Sequence, residues 1–327
     1  MNKKLDFLWI DDEPKRIRAA RSFEMAKNVK VTFEDVRTKD LFMELKRILN
    51  ETEPDLILID HKLDKVSGGI VRTGSSAAEI IREKWLECPI VCITAVELKD
   101  ISLHRQYIYE DILKYSSFSN YYSTLLSIAK SYKKLKSTRA KNINSLLKLI
   151  DAPKGEIIRL SHIMPEEIKA HFNDASLLFN ISRWIRHNLM VRPGFLYDRL
   201  WTATLLGIKE TSFKKVEKDF KGAKYKGIFA DQSNERWWQA KLREILYSML
   251  KGSELKLPWE LGRELPGITK GDYSVCYACK KDLPETVGYL DERSETKKQM
   301  HLRCTVTNPN LENLLFFEEI RMMKAAE

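Results

Sequence analysis

The sequence contains no apolar run that approaches the roughly 20 residues needed for a transmembrane helix. The opening residues, MNKKLDFLWIDD, also carry acids where a secretory signal peptide has an uninterrupted apolar core. Both absences argue against a membrane protein, and we expect a cytoplasmic location. A hydrophobic content of 43% and an aromatic content of 10% are those of a globular protein. The length of 327 residues predicts about two or three domains.

Cysteine is scarce, with five residues in the whole chain. Cys88 and Cys92 flank an apolar segment, whereas Cys276, Cys279 and Cys304 lie near the C-terminus. An odd number of cysteines in a chain without a secretion signal argues against a disulfide framework and favours thiol or metal chemistry. The formal net charge of +10 is compatible with nucleic acid or another acidic partner but does not require one.

Short apolar runs that end in a polar side chain dominate the first part of the sequence. The run Leu56–Ile59 lies between Pro54 and Asp60, which is typical of a parallel strand buried on both faces. Similar runs alternate with helical patterns, and that order predicts a doubly wound parallel sheet. The polar residues expected at the carboxyl ends of four strands are Asp11 with Asp12, Asp60, Thr94 and Lys114.

These side chains are expected to converge, because the carboxyl ends of parallel strands share one edge of the sheet. Clustered carboxylates repel one another unless a hard cation such as Mg²⁺ binds them through oxygen. A carboxylate beside such an ion can attack a phosphoryl group, while a hydroxyl and an ammonium hold the phosphoryl oxygens. A lone aspartate after a strand would be interpreted as the cap of a turn. The complete set favours chemistry instead.

This set of residues resembles the receiver (CheY-like) domain of bacterial response regulators over about residues 3–136. The resemblance implies a five-stranded, flavodoxin-like fold that is phosphorylated by a histidine kinase or another phosphodonor. It further implies that Asp60 is the phosphoacceptor and that Thr94 and Lys114 contact the phosphoryl group. The implied Mg²⁺ ligands are Asp11, Asp12, Asp60 and the backbone carbonyl of Lys62.

The sequence departs from the family pattern near the last strand. Tyr115 follows Lys114, where the family usually has proline. Asp111 stands at the position of the aromatic switch residue, for which Tyr107 or Tyr109 could substitute at a different spacing. The loop after the third strand is also longer than usual. The chemistry would be retained while the relay to the last strand differs, so a receiver scaffold used only for docking is the alternative.

Residues 137–262 show mostly helical patterns and are predicted to form a helical domain. Within it, segment 201–220 resembles a helix-turn-helix, with Ala203 in the first helix and Gly207 in the turn. A second helix would expose Lys214, Lys215 and Lys218 to DNA phosphates. A plain helical hairpin is the alternative, since this second helix offers no Asn, Gln or Arg for contacts to base edges.

Trp237 and Trp238 are expected to open a helix in the same domain. Adjacent helical residues point about 100° apart, so one indole could enter the core while the other contacts a partner protein. The alternative places both indoles in the core of the domain.

The C-terminal part, residues 263–327, contains two pairs of potential metal ligands. Cys276 pairs with Cys279, and His301 pairs with Cys304, at the same short spacing. Three thiolates and one imidazole form a tetrahedral set for Zn²⁺, and the hairpin-like stretch between the pairs resembles treble-clef or LIM-like zinc fingers. No open coordination position is visible, so we expect a structural ion whose binding helps a small module to fold. A last helix is predicted after Asn308–Pro309, with Leu311, Leu314, Leu315 and Ile320 on its inner side.

The three predicted domains, residues 1–136, 137–262 and 263–327, suggest a signalling protein rather than an enzyme. In this hypothesis, phosphorylation of Asp60 changes how the helical and zinc-binding parts engage a protein partner. Two alternatives remain open. One is a DNA-binding regulator that uses segment 201–220. The other is an adaptor or assembly subunit of a bacterial stress or defence system, with the receiver as a docking scaffold.

Overall fold

The computed structural model describes most of the chain. The described residues are 4–51, 53–67, 71–138, 142–170, 172, 174, 177–191, 193–231, 234–250, 256–282, 286–291, 296–307 and 322–324. The helix predicted after Asn308–Pro309 lies outside them. None of the described helices is both long and apolar enough to cross a lipid bilayer.

A five-stranded parallel sheet forms the N-terminal part of the chain. Its strands are β1 (Asp6–Asp11), β2 (Lys30–Asp35), β3 (Leu56–Ile59), β4 (Ile90–Thr94) and β5 (Asp111–Lys114). They lie in the order β2-β1-β3-β4-β5, and every neighbouring pair is parallel. This order is that of the flavodoxin-like doubly wound fold, with its switch point between β1 and β3. The predicted fold class is confirmed.

Helices connect the strands across both faces of the sheet. They are α1 (Ile17–Lys27), α2 (Leu41–Ile48), α3 (Gly74–Lys84), α4 (Leu103–Gln106) and α5 (Tyr122–Thr138). A 3₁₀ turn, Pro14–Arg16, leads directly into α1. Side-chain caps start two of the helices, because Asp40 accepts the N–H of Met43 and Thr73 accepts that of Ser76.

Successive side chains of a strand point to opposite faces of the sheet. In this sheet one face is packed with aromatic side chains and the other with aliphatic ones. Phe7 and Trp9 of β1 point to one face, where they contact Phe23 of α1 and Phe118 in edge and tilted ring geometries. Leu8 and Ile10 belong to an aliphatic cluster with α2 and α3 on the opposite face. The central strand β1 is thus packed on both faces of the sheet.

The chain forms two compact units that interleave in sequence. The next α-helices after α5 are α6 (Ile143–Leu149), α7 (Ile157–Ile163), α8 (Glu166–Ala170) and α9 (Leu177–Arg183). The first unit contains residues 1–143 and 166–183, and the second contains residues 144–165 and 184–327. Because α9 packs against α5, α8 and α9 belong to the unit that contains the sheet. The predicted boundaries after residues 136 and 262 do not coincide with this division.

Glu110, which precedes β5, is a buried carboxylate that joins several elements of the first unit. It accepts hydrogen bonds from Tyr132 Oη of α5 at 2.5 Å and from Ser182 Oγ of α9 at 2.8 Å. Arg82 of α3 pairs with it at 3.3 Å and stacks on Phe179 of α9, 4.4 Å from the ring centroid. A buried charge of this kind is stable only when it is paired and hydrogen-bonded. Glu110 therefore ties α9 to the sheet.

The second unit has its own apolar core. Its further elements are a π-helical segment (Trp184–Leu189), β6 (Leu196–Tyr197), α10 (Arg199–Leu205), β7 (Trp237–Trp238), α11 (Gln239–Met249), α12 (Pro258–Arg263), β8 (Thr286–Asp291), β9 (Thr296–His301), β10 (Thr305–Thr307) and β11 (Met322–Lys324). Trp237 and Trp238 form a strand paired with β6, and both are almost fully buried. The predicted helix is present, but it begins at Gln239 with Trp238 as its N-cap, so the two residues precede it instead of forming its first turn. The alternative that places both indoles in the core is confirmed.

The helix-turn-helix prediction for segment 201–220 is wrong in its second half. Helix α10 and a left-handed Gly207 (φ +65°) are present as expected. The following residues form two 3₁₀ segments, Glu210–Lys215 and Glu217–Ala223, instead of an α-helix. They do so because Phe213, Val216 and Phe220 are all drawn into the core. Lys215 pairs with Asp272 at 2.7 Å, so its charge is engaged within the protein.

Replacing Glu110 with alanine should lower the free energy of unfolding by about 3–5 kcal/mol, because a buried ion pair loses one partner. Arg82, Tyr132 and Ser182 would each lose the same acceptor. Urea denaturation of the full chain measures the change. The matched control is Glu79→Ala, an exposed position on α3, which should change stability by less than about 0.5 kcal/mol. Equal effects of the two substitutions would contradict the role of Glu110.

Candidate functional sites

The predicted acidic site is assembled at the carboxyl edge of the sheet. Asp11 ends β1, Asp60 follows β3 and Thr94 ends β4. One carboxylate oxygen from each of Asp11, Asp12 and Asp60 lies within 4.8 Å of the others, and all three residues are buried. Parallel pairing of β1 with β3 and of β3 with β4 brings these strand ends together. The convergence predicted from the strand pattern is therefore observed.

Arg16 lies inside this cluster, and the sequence analysis missed it. Its Nη1 donates to Asp11 Oδ2 at 2.8 Å and lies 2.9 Å from Asp60 Oδ2. Its guanidinium also covers the ring of Tyr115, 4.6 Å from the centroid. The sequence feature that could have identified Arg16 is a basic residue shortly after the acidic pair Asp11–Asp12. Pro14 begins a 3₁₀ turn there, and this turn directs the side chain of Arg16 back to the sheet.

The oxygens of Asp11 are already occupied by donors. Oδ2 accepts from Trp9 Nε1 at 3.1 Å as well as from Arg16, and Oδ1 accepts from the backbone N–H of Glu13 at 2.8 Å. The side chain of Asp11 has no solvent exposure. Asp11 thus contributes negative charge and orients Arg16. Its carboxylate oxygens are less available to a metal ion than the predicted role of Asp11 as a Mg²⁺ ligand requires.

Asp12 and Asp60 have fewer hydrogen-bond donors on their carboxylate oxygens than Asp11 has. Asp12 Oδ2 accepts the N–H of Lys65 at 2.7 Å. Asp60 Oδ1 is buried and makes no hydrogen bond of normal geometry to any described residue, although the nearby N–H of Lys62 is close enough to lower the pKa of Asp60. An unpaired buried acceptor is costly, and a bound cation would remove that cost. The residues present fit a metal ion at this position.

The charges of the cluster act on one another. Burial raises the pKa of Asp60 to about 6, and the positive charge of Arg16 partly offsets that rise. Burial likewise raises the pKa of Asp11, against the opposing effect of Arg16. Arg16 is therefore the group within the protein that most favours the ionised form of both carboxylates.

A pocket of about 180 Å³ opens over Asp60. Its lining residues include Asp12, Arg16, Asp60, Lys62 and Thr94. The Thr94 hydroxyl accepts the N–H of Val96 at 3.1 Å, so its own proton can be donated into the pocket. The volume equals that of several water molecules, at about 30 Å³ each. It gives a small ligand access to the Asp60 carboxylate.

Lys114 has a different environment from the one that the family resemblance implies. Its Nζ pairs with Glu97 Oε2 at 2.8 Å, and both side chains are more than half exposed. Lys114 ends β5 as predicted, but it does not belong to the lining of the Asp60 pocket. Its predicted contact with a phosphoryl group stays a prediction.

The two candidate aromatic switch residues differ in burial. Tyr109 is buried, and its ring packs edge-on to His61, the neighbour of Asp60, with centroids 6.5 Å apart. Tyr107 is exposed and lies under the guanidinium of Arg183 of α9, 4.3 Å from its ring centroid. Tyr109 is therefore the aromatic that is adjacent to the Asp60 strand end, and Tyr107 is the one that contacts α9.

The second predicted site is assembled in the second unit. The ligand atoms of Cys276, Cys279, His301 and Cys304 all lie within 4.8 Å of one another. His301 Nδ1 is 3.2 Å from Cys279 Sγ and 3.8 Å from Cys304 Sγ. The antiparallel hairpin of β8 and β9 brings His301 back beside the first cysteine pair. The predicted set can hold one metal ion.

The surroundings of the cluster favour ligation. His301 Nε2 faces the backbone carbonyl of Asp282, an arrangement that fixes the ring and leaves Nδ1 for a metal. Burial opposes ionisation of Cys276, but the backbone N–H groups of His301, Cys279 and Ala278 outweigh it and lower the pKa of this thiol to about 6. Thiolates are the form that binds metal.

The cysteine cluster is integrated with the rest of the second unit. Arg263 of α12 forms a two-pronged ion pair with Asp282, and its Nε donates to the carbonyl of Gly207 at 3.0 Å. Gln299 of β9 donates to Thr204 Oγ1 of α10 at 3.0 Å. The zinc-binding part predicted at residues 263–327 thus shares hydrogen bonds and core with the helices that precede it.

No protein-family model and no curated protein matches the sequence. Similar solved structures include a CheY-like response regulator receiver domain protein from Methanospirillum hungatei, which is 14% identical with a TM-score of 0.33 over 40% of this chain and 98% of that one. A two-component response regulator from Clostridium difficile is 19% identical, with a TM-score of 0.32 over 39% of this chain and 97% of that one. TrrA from Thermotoga maritima, a response regulator protein in complex with Mg²⁺-BeF, is 18% identical, with a TM-score of 0.29 over 41% of this chain and 98% of that one. These similarities concern the N-terminal part of the chain.

Replacing Gly74 with alanine should disturb the Asp60 pocket. A Cβ at this first residue of α3 would lie 2.0 Å from the Asp60 carbonyl oxygen, so the backbone of one of them must move. We expect a loss of about 1–3 kcal/mol in the free energy of unfolding, the usual range for overpacking. Denaturant titration is the measurement. Gly155→Ala, where the added Cβ meets nothing within 4 Å, is the control and should be close to neutral. An equally neutral Gly74→Ala would contradict this close approach.

Proposed function

We propose that this protein is a response-regulator-like signalling protein whose first unit accepts a phosphoryl group on Asp60. The observation that carries the proposal is the Asp60 carboxylate itself. It lines an open pocket at the carboxyl end of a central strand, and its Oδ1 is buried without a hydrogen-bond partner in the described part of the chain. The lone pairs of this oxygen are not engaged by a protein donor, so they can bind a metal ion or form a bond to phosphorus when a ligand enters the pocket.

The proposed step is transfer of one phosphoryl group. An oxygen of the Asp60 carboxylate attacks the phosphorus of a phosphohistidine or acyl-phosphate donor, and a new P–O bond forms. The bond between phosphorus and the donor breaks, and the donor leaves with the electron pair. Thr94 would donate a hydrogen bond from its hydroxyl to a phosphoryl oxygen in the same pocket. The chain undergoes one covalent step in this scheme and is not an enzyme in the turnover sense.

Mg²⁺ would supply positive charge that neutralises the transferring phosphoryl oxygens. Its ligands would be carboxylate oxygens of Asp12 and Asp60 and the backbone carbonyl of Lys62, with Asp11 adding negative charge behind them. Asp11 orients Arg16, and the N–H of Lys65 orients Asp12, so the remaining oxygens are held in place before the ion binds.

The output would be a change in how the chain engages a protein partner. Helix α9 is held to the sheet unit through Glu110, and Arg183 of α9 covers Tyr107 in the segment between β4 and β5. In the proposed function, phosphorylation of Asp60 alters this side of the sheet and therefore the docking of α9. A histidine kinase or another cytoplasmic phosphodonor would act as the input.

We further propose that Cys276, Cys279, His301 and Cys304 bind a structural Zn²⁺. Three thiolates and one imidazole suit Zn²⁺ in tetrahedral geometry. The hydrogen bond from His301 Nε2 to Asp282 gives the ring the orientation that a ligand needs. A closed set of four protein ligands leaves no position for a substrate, which is typical of a structural site.

A docking scaffold that does not use phosphorylation is the second candidate. It is favoured by the position of Lys114, whose ammonium pairs with Glu97 outside the lining of the Asp60 pocket. In this case α9 and the surrounding surface would bind a partner whether or not Asp60 is intact. Copurification of the same partner with the wild type and with Asp60→Asn would distinguish the scaffold from the phosphorylated regulator.

Incubation of the wild-type chain with acetyl phosphate and Mg²⁺ should add the mass of one phosphoryl group. Asp60→Asn should remain unmodified, because it lacks the attacking carboxylate. Asp55→Asn, at the opposite end of the same strand, should be modified like the wild type. Intact-mass spectrometry measures all three. Absence of the added mass from the wild type, or its persistence in Asp60→Asn, would refute phosphorylation at this residue.

Elemental analysis of the untagged chain should give one zinc ion per molecule. Cys276→Ser should lose most of this zinc, since one of four ligands is removed. Cys92→Ala is the control, because Cys92 is buried in β4 and lies outside the cluster, and it should keep its zinc. A folded wild-type preparation without zinc would contradict the assignment.

A further inference from the structure

We infer that Arg16, rather than Lys114, supplies the positive side-chain charge at the phosphoacceptor Asp60. This inference rests on the proposed function for what the charge would stabilise, a phosphoryl group on Asp60. The placement of the charge beside the two carboxylates is a property of the structure itself. Arg16 is therefore assigned as the residue whose guanidinium would contact the phosphoryl group in this pocket.

The geometry of Arg16 is that of a built-in counter-ion. Its Nη1 lies within 3 Å of both Asp11 Oδ2 and Asp60 Oδ2. The side chain of Arg16 is 9% exposed and that of Asp60 is 6% exposed. In such a partly dehydrated site an ion pair is screened little by solvent. Arg16 thus holds the two carboxylates together without a metal.

Arg16 also retains donors for a ligand. The contacts of its guanidinium with Asp11, Asp60 and the carbonyl of Ile93, at 2.8, 2.9 and 3.5 Å, are each made through Nη1. The guanidinium has five N–H donors in a planar fork, and the residue lines the pocket over Asp60. The donors on Nη2 and Nε are consequently suited to a phosphoryl oxygen bonded to Asp60.

Tyr115 explains why the charge comes from this residue. Its ring lies against the guanidinium of Arg16, at 4.6 Å, and an aromatic face stabilises a planar cation. The proline that the resemblance leads one to expect after Lys114 has no such ring. Tyr115 therefore stabilises Arg16 beside Asp60, while Lys114 pairs with Glu97 outside the pocket lining.

Two consequences distinguish Arg16 from Lys114. Arg16 repels a divalent cation that binds Asp12 and Asp60, so at alkaline pH, where these carboxylates are ionised in every variant, removing its charge should strengthen Mg²⁺ binding. Removing the same charge should weaken retention of the phosphoryl group, because its oxygens lose a donor. Neutralising Lys114 should change Mg²⁺ affinity and retention of the phosphoryl group much less than neutralising Arg16 does.

The test compares the wild type with Arg16→Gln, Arg16→Lys and Lys114→Gln in Mg²⁺ titrations by calorimetry at alkaline pH. Removal of a charge this close should tighten Mg²⁺ binding by about tenfold in Arg16→Gln. Lys114→Gln should stay within about twofold of the wild type, since its charge is exposed and screened. Arg16→Lys keeps the charge and should remain near the wild type. Circular dichroism of each variant establishes that it is folded.

The same variants are then treated with acetyl phosphate, and the lifetime of the added phosphoryl group is followed by intact mass. Arg16→Gln should shorten that lifetime by about tenfold or more, Arg16→Lys should restore much of it, and Lys114→Gln should change it little. If Lys114→Gln changes both quantities more than Arg16→Gln does, the assignment is overturned. If Arg16→Gln does not fold, the comparison of Arg16→Lys with Lys114→Gln tests the assignment. A change in Mg²⁺ affinity or phosphoryl lifetime in Lys114→Gln alone would then refute the role of Arg16.

Failure of the proposed function gives a different pattern. A wild-type chain that takes up no phosphoryl group but shows the expected order of Mg²⁺ affinities would refute phosphorylation and support the role of Arg16. A chain that is phosphorylated on Asp60 with Mg²⁺ affinities insensitive to Arg16→Gln would support the function and refute the inference.

Discussion

Burial of carboxylates at the carboxyl edge of the sheet is the constraint on which the N-terminal unit depends. Removing a charge from water costs several kcal/mol unless partners replace the lost hydration. For Asp11 and Asp60 those partners come from the Arg16 guanidinium, from the Trp9 indole and from backbone N–H groups. The 3₁₀ turn that begins α1 and the ring of Tyr115 are both positioned to hold Arg16 there. One pairing thus connects the first strand, the first helix and the end of the last strand.

Much of this arrangement could be predicted because its signals are local. A short apolar run that ends in an acid identifies both the strand and its functional end, and alternation with helices determines that the strands are parallel. The observed strand order agrees with that expectation. The pairs Cys276 with Cys279 and His301 with Cys304 were likewise recognisable by spacing, and the hairpin between them brings the four ligand atoms together.

The features that could not be predicted depend on contacts between distant segments. Segment 201–220 carries small and apolar residues at helical spacing, yet tertiary packing of Phe213 and Phe220 favours 3₁₀ turns. Trp237 forms a strand only because β6 supplies a partner. The partnership of Glu110 with Ser182 spans many intervening residues, so no window of sequence contains it. These are cases in which tertiary structure overrides local propensity.

The interleaving of the two units limits how this chain could have been assembled or rearranged. A fragment that ends after α5 would retain the whole sheet but lack the hydroxyl that binds Glu110 and the ring on which Arg82 stacks. Glu110 would then keep its burial but lose one of its hydrogen-bond donors. The unit that contains the sheet is therefore not encoded by one continuous segment of the chain. Recombination that exchanged the sheet unit for another domain of the same fold would have to transplant residues 166–183 as well, so the unit could not be inherited as one continuous stretch of sequence.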